Sequence, residues 1–202
     1  MKVGILGNGL TSLTLAKALV NEGVNVEIIS DNKFKSTKKF QTVGITQSNV
    51  EFFNKTILDI SKLSWQINKI EIFTEKSKNE KILNFDNNKK QLFSIFKNYQ
   101  LYNLLNSSLK NSKFFKRKKK LSNHDYAIII NCDRNNSLTK KIFYKKIEKS
   151  YKSSAFVTSI KHKKNLSNNT AIQIFTNLGP IAFLPVSENE TSIVYSLKKK
   201  KN

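Results

Sequence analysis

Apolar and polar positions alternate along this chain with two different periods. Val3-Gly4-Ile5-Leu6 is a short apolar run that reads as a buried strand and breaks at Gly7-Asn8-Gly9. From Leu10 to Asn21, the residues Leu13, Ala16, Leu19 and Val20 recur at helical spacing, and Glu22-Gly23 supplies a stop. Val24 to Ile29 is then a second strand. Strand, glycine turn, helix and strand in this order predict a βαβ unit, because parallel strands need a crossover between them.

Residues 31–42 are polar and Lys-rich, a surface excursion. The Ser48-x-x-Glu51 spacing predicts a capping box, opening a helix with Val50, Phe53 and Ile57 inward. From Leu63 the period falls to two: Leu63, Trp65 and Ile67 alternate, then Ile70 and Ile72, then Leu83 and Phe85. Leu92 to Phe96 is a further apolar segment, and Tyr99 to Leu109 returns to helix with Leu101, Leu104, Leu105 and Leu109 inward. Tyr126 to Ile130 is almost continuously apolar, which suits the centre of a parallel sheet. Strands dominate again at Ala155–Ile160, Ala171–Thr176, Ile181–Leu184 and Thr191–Ser196. The expected fold is α/β: a Rossmann-like nucleotide-binding layer from 1–62 and 97–150, a second, largely antiparallel β-sheet from 63–96 and 151–197, and a basic tail at 198–202.

Charge complicates this picture without changing it. The 36 Lys+Arg against 14 Asp+Glu give a net charge of +22, a balance that ordinarily points to nucleic acid or an anionic membrane surface. Only Arg117 and Arg134 are arginines, however, and base-edge recognition favours the forked guanidinium. Lysine here accompanies abundant Asn, Ile and Phe, as in chains encoded by AT-rich genes. The charge therefore reads as compositional, with no specific nucleic-acid partner expected, and the Lys116–Lys120 run as a solvated loop or strand edge. A single cysteine, Cys132, and the well-separated His124 and His162 leave no disulfide framework and no zinc spacing. No stretch approaches the roughly eighteen apolar residues of a membrane span, so the expected location is the cytoplasm, with any membrane contact peripheral.

The candidate chemistry starts at Gly7-Asn8-Gly9-Leu10-Thr11-Ser12, placed between strand and helix. There the first glycine allows a tight turn and the second lets the backbone approach a pyrophosphate. The third small position is Ser12, which loosens the helix–strand packing expected of glycine or alanine. A dinucleotide site also calls for an acid near the end of the second strand to hold ribose hydroxyls. The chain reads Ile29-Ser30-Asp31 there, so either Asp31 serves from one residue late or Ser30 substitutes.

Two later segments carry a family resemblance. Asn131-Cys132-Asp133-Arg134-Asn135-Asn136-Ser137 resembles the Ala-Asp-Gly-x-x-Ser segment of flavin-dependent aromatic hydroxylases. Phe175 to Ser187, containing Gly179-Pro180 and Leu184-Pro185-Val186-Ser187, is similar to a stretch of the hydroxylases of ubiquinone biosynthesis, enzymes like 2-octaprenyl-6-methoxyphenol hydroxylase within the para-hydroxybenzoate-hydroxylase group. The resemblance runs through the chain in family order and matches roughly the first half of such an enzyme. It implies an FAD-binding monooxygenase with NAD(P)H as electron donor, O2 as oxidant and a polyprenyl phenol as substrate, with contacts to a membrane surface or to other proteins of the ubiquinone pathway. It would put Gly7, Gly9, Leu10, Thr11 and Ser12 under the pyrophosphate, Ser30 and Asp31 near the adenosine ribose, and Asp133 beside the flavin nucleotide. Phe183, Leu184 and Pro185 would lie on the substrate sheet.

Four positions depart from that family's pattern: Ser12 for a glycine, Ser30 for an acid, Gln41 for a phosphate-facing arginine, and Arg134 for the glycine after Asp133. Each departure lowers the expected FAD affinity. No Gly-Asp pair occurs, so the family's second flavin motif is missing, and the chain reads as an N-terminal fragment or reduced form. A non-catalytic basic binding module on the same scaffold is the alternative from another functional class.

Overall fold

The computed structural model describes residues 1–30, 41–76, 80–86, 91–121, 126–133, 135–137, 147–163 and 168–198. In chain order its elements are β1 (Lys2–Leu6), α1 (Leu10–Asn21), β2 (Asn25–Ile29), β3 (Thr42–Thr46), α2 (Gln47–Thr56), β4 (Trp65–Ile67), β5 (Lys69–Thr74), β6 (Lys81–Asp86), β7 (Phe93–Lys97), α3 (Asn98–Lys110), β8 (Phe115–Lys118), β9 (Ile128–Asn131), β10 (Ser153–Lys161), β11 (Thr170–Thr176), β12 (Gly179–Ser187) and β13 (Glu190–Lys198). They form two units, one from Met1–Thr37, Phe52–Ile60 and Asn98–Glu148, the other from Lys38–Glu51, Ser61–Lys97 and Lys149–Asn202. Residues 38–51, placed with the nucleotide-binding layer on sequence, group with the second unit because β3 pairs antiparallel with β7.

The first unit is built on a four-stranded parallel sheet ordered β8-β2-β1-β9. Val3 and Ile5 of β1 and Val26 and Ile28 of β2 are buried, together with Leu13, Ala16 and Val20 of α1 and Leu101, Leu105 and Leu109 of α3. Each large side chain taken fully out of water there contributes about 1.5–3 kcal/mol. The helical period read from Tyr99–Leu109 is present, but Tyr102 is buried where Leu104 was expected. The Tyr126–Ile130 run does join a parallel sheet. Its strand β9 lies at the edge rather than the centre, leaving Ile128 50% and Ile129 43% exposed.

On one face of this sheet Tyr126 lies across Gly4, where a Cβ would meet its ring at 3.1 Å. The same face carries Glu27, only 5% exposed, which accepts a hydrogen bond from Tyr126 Oη at 2.6 Å and pairs with Lys118 Nζ at 3.0 Å and Lys2 Nζ at 3.2 Å. Burial by itself raises the carboxyl's pKa. The bonds from Tyr126, Lys118 and Lys2 outweigh it and hold Glu27 below the ordinary carboxylate value.

α2 begins one residue before the expected box: the Thr46 hydroxyl accepts from the Asn49 backbone N–H at 3.4 Å, and Gln47 bonds Glu51 at 2.9 Å. Thr46, the last residue of β3, therefore caps the helix in place of Ser48.

The second unit holds two sheets where the period of two suggested one. Six strands run β10-β13-β12-β11-β5-β6, antiparallel except for the parallel β11–β5 pair, and three run β3-β7-β4. Ile67, Ile95 and Ala171 are buried at the core of this unit, with Trp65, Ile70, Phe93, Leu184 and Val186 packed around them. Two polar links join β13 to the smaller sheet: Lys97 pairs with Glu190 at 2.6 Å, and the Thr42 and Ser192 hydroxyls lie 3.2 Å apart. At the Thr176–Gly179 turn, Gly179 has φ +142, and a Cβ there would stand 1.9 Å from the Ser196 carbonyl oxygen, so only glycine fits.

Candidate functional site

The site forms at the carboxyl ends of the parallel strands. β1 delivers the chain into Gly7, whose φ of +112 and hydrogen bond from its N–H to the Ile29 carbonyl at 3.0 Å fold it back toward β2. Gly9 is the N-cap of α1, and the first helical bond runs from the Leu13 N–H to the Gly9 carbonyl at 3.1 Å. No side chain caps this end and its first turn carries no acid, so the Leu10, Thr11 and Ser12 N–H groups and the positive end of the helix dipole face an open space. A Cβ built on Gly9 meets nothing within 4 Å.

Sequence-distant residues close on this turn. The chain leaves β9 with the Cys132 N–H bonded to the Leu6 carbonyl at 2.9 Å, which brings Asp133 against Gly7. A Cβ on Gly7 would lie 3.1 Å from the Asp133 Cβ and 3.0 Å from Ser12 Oγ. The Asp133 carboxylate accepts from the Asn135 N–H at 3.0 Å and the Asp133 N–H donates to Asn131 Oδ1 at 3.0 Å, which fixes this turn locally. Ser12 is 1% exposed, and among the described residues its Oγ finds no hydrogen-bond partner beyond a weak contact with the Cys132 thiol. The Cys132 thiol is close enough to feel it: burial pushes the thiol's pKa up, and the Ser12 hydroxyl draws it partway back.

Asn8, between the two glycines, is tethered from two elements. Its Oδ1 accepts from Tyr102 Oη of α3 at 3.3 Å and from Arg117 Nη1 of β8 at 2.5 Å, while Arg117 Nη2 donates to Asn106 Oδ1 at 2.8 Å. Burial raises the Tyr102 pKa, with the Arg117 charge opposing. Neither Arg117 nor Tyr102 stood out in the sequence. The arginine was part of a run read as a solvated edge, and β8 is indeed an edge strand, yet this one side chain turns inward to the turn.

The remaining expected residues are spread over both units. Ser30 follows β2, its N–H bonded to the Lys118 carbonyl at 3.0 Å, and Asp31 and Arg134 lie outside the described residues. Gln41 is exposed just before β3, in the second unit. On β12, Leu184 packs into the second unit's core, while Phe183 and Pro185 share the opposite face and the strand bulges between Pro185 and Ser187.

A cavity of about 350 Å³ opens at the other ends of β1 and β2, beside Met1, Lys2, Asn25, Lys113 and Lys116, away from the glycine turn. Another of about 480 Å³ lies within the second unit, lined by Gly44, Ile45, Ile70, Phe85, Leu92 and Phe93, with Thr46 its polar group. Among the described residues no cluster of His, Cys, Asp and Glu could hold a metal ion, and no helix is long and apolar enough to cross a membrane.

The residues at the turn fit a dinucleotide. The space beyond Gly9 is what a pyrophosphate needs, the uncapped helix end offers N–H donors, and Asp133 stands against Gly7 at the same turn.

No protein-family profile and no curated protein sequence matches the chain. Solved structures do. PqsL of Pseudomonas aeruginosa, in complex with 2-aminobenzoylacetate, superposes with a TM-score of 0.77 at 12% identity, over 98% of this chain and 61% of that one. p-Nitrophenol 4-monooxygenase PnpA of Pseudomonas putida gives 0.76 at 12%, over 99% and 58%. Klebsiella pneumoniae HpxO, as an R204Q variant complexed with FAD, gives 0.74 at 10%, over 100% and 58%. The chain thus spans about three-fifths of the length of these proteins, among which PqsL is elsewhere named a probable FAD-dependent monooxygenase. Its fold, with a parallel sheet and glycine turn in one unit and two largely antiparallel sheets in the other, matches that of the FAD-dependent monooxygenases.

Proposed function

We propose that this chain is an FAD-binding protein of the aromatic-hydroxylase kind, acting on a polyprenyl phenol in ubiquinone biosynthesis, with NAD(P)H as reductant. The observation that carries the reading is the convergence of Gly7, Gly9, Ser12 and Asp133, from segments more than a hundred residues apart, around one open helix end. When bound, FAD supplies the oxygen-activating chemistry. The chain's own groups bind and orient it. The Leu10, Thr11 and Ser12 N–H groups receive the pyrophosphate, Gly9 leaves its approach path clear, Ser30 and Asp31 serve the ribose, and Asp133 holds the flavin nucleotide.

Support for an apolar substrate comes from the cavity of about 480 Å³ in the second unit, whose walls are Ile45, Ile70, Phe85, Leu92 and Phe93. A volume of that order suits a ligand of small-molecule size, and its lining favours a hydrocarbon tail. Phe183 and Pro185, on the face of β12 opposite Leu184 and with Pro185 itself buried, are the proposed substrate-side residues, with Leu184 fixing the strand from behind.

The experiment is a titration of the purified chain with FAD and, separately, with a short-tailed prenyl phenol. Saturable binding of both, with Phe85→Lys weakening the phenol and leaving FAD untouched, supports the reading. Failure to bind FAD contradicts it.

A further inference from the structure

Arg117 is one of two arginines among 36 basic residues, and although exposed it is tethered at both terminal nitrogens. The carboxamides of Asn8 and Asn106 that accept from it are neutral, and among the described residues no carboxylate pairs with it. Its neighbour Lys118, by contrast, is matched by Glu27 at 3.0 Å. Asn8 is the middle residue of the Gly7-Asn8-Gly9 turn, so a positive charge that no described carboxylate pairs with is held beside the open, positive end of α1. Two of the guanidinium's five N–H donors go to these carboxamides, Tyr102 Oη draws on it too and the Phe115 ring centre lies 5.5 Å from its Cζ, while its planar fork has the shape that matches phosphate oxygens. Tyr102 Oη, also bonded to Asn8 Oδ1, fixes the carboxamide that aims the fork.

We propose that Arg117 is a cofactor-binding residue that supplies the cation for the diphosphate of the dinucleotide on the Gly7–Ser12 turn, with Asn8 and Asn106 as its positioning residues. The inference rests on the FAD reading above. Lysine does not replace arginine in this role: a point charge on a flexible stem cannot be oriented by two carboxamides and bridge two phosphate oxygens at once.

The test is FAD titration of the full chain by flavin fluorescence, at low and at moderate salt, for wild type, Arg117→Gln, Arg117→Lys, Asn106→Ala and Gly9→Val. Arg117→Gln weakens FAD roughly tenfold or more at low salt, the scale of a lost charge-assisted hydrogen bond, and flattens the dependence on salt. Arg117→Lys keeps the salt dependence and recovers part of the affinity, and Asn106→Ala falls between wild type and Arg117→Gln. Arg117 lies on an exposed edge strand, so the thermal midpoint of each Arg117 variant stays close to that of wild type. Weakening with unchanged salt dependence, or equal affinity of wild type and Arg117→Gln while Gly9→Val abolishes binding, overturns the role of Arg117 and leaves the dinucleotide reading standing. Equal affinity in every variant, Gly9→Val included, or no binding by wild type, overturns both.

Discussion

Gly7 and Gly9 sit in one turn and are glycine for different physical reasons. Gly7 has a backbone that L side chains rarely adopt, with Ser12 and Asp133 against it, so Gly7→Ala costs about 1–3 kcal/mol of folding stability. Gly9 has φ −91 and open space beside it, so Gly9→Val perturbs the fold by about 1 kcal/mol at most, through the weaker N-cap. Denaturant titration of the two variants separates them. Gly179 is a third case: a methyl there strikes the Ser196 carbonyl, and Gly179→Ala is expected to cost about 3 kcal/mol or more. At Ser12 the sign reverses, since Ser12→Ala removes a buried hydroxyl with no hydrogen-bond partner beyond the weak Cys132 contact and leaves stability equal or higher. At this scale the sequence was informative where a residue acts through its own backbone, as at the Gly7 and Gly9 turn. It was silent about Arg117, Tyr102 and Asn8, because their bonding joins positions 94 and 109 residues apart and leaves no local pattern.

Among the elements, the βαβ start and the late strands were legible because their periods are strong and their turns glycine-marked. The shift of α2's cap from Ser48 to Thr46 reflects competition between two nearby hydroxyls, which spacing cannot rank. The edge position of β9 was not legible, since an apolar run reports burial of a strand type and not strand order. The split of the second unit into two sheets was hidden for the same reason: alternation fixes which residues share a face, and pairing partners are chosen by tertiary structure. Outermost among the described strands of its sheet, β6 pairs with β5 and exposes about half of Ile82, Leu83 and Phe85. Such an edge favours concentration-dependent association. Sedimentation velocity of Leu83→Lys is expected to show less self-association than wild type, with stability changed by no more than about 0.5 kcal/mol. Equal association would place the contact elsewhere.

For the whole molecule, charge sets two behaviours. With the +22 balance compositional and only two arginines in the chain, binding to DNA is expected to be weak, blind to sequence and lost at moderate salt, and a gel-shift series over salt checks this; a tight, sequence-preferring complex would favour the basic binding module instead. Acid sensitivity follows from Glu27, Glu71 and Glu190. Lys81 and Lys69 draw Glu71 down against its burial; burial raises Glu190, and the bond and charge of Lys97, with Ser159 and Lys161, together outweigh it. Because these folded-state values are depressed, their stabilisation is present above the ordinary value of 4.5 and disappears as pH falls through the folded values. Glu27→Gln therefore destabilises more at neutral pH than in acid, and the gap closes on acidification, as denaturant curves at several pH values will record. The central claim is that the Gly7–Ser12 turn receives FAD. It is tested most directly by titrating FAD into wild type and Gly9→Val while thermal melts confirm that both are folded. The account predicts weak, saturable binding by wild type, as expected with Ser12, Ser30 and Gln41 in place of the family's residues, and no binding by the equally folded variant. Equal FAD affinity in the two proteins would contradict it.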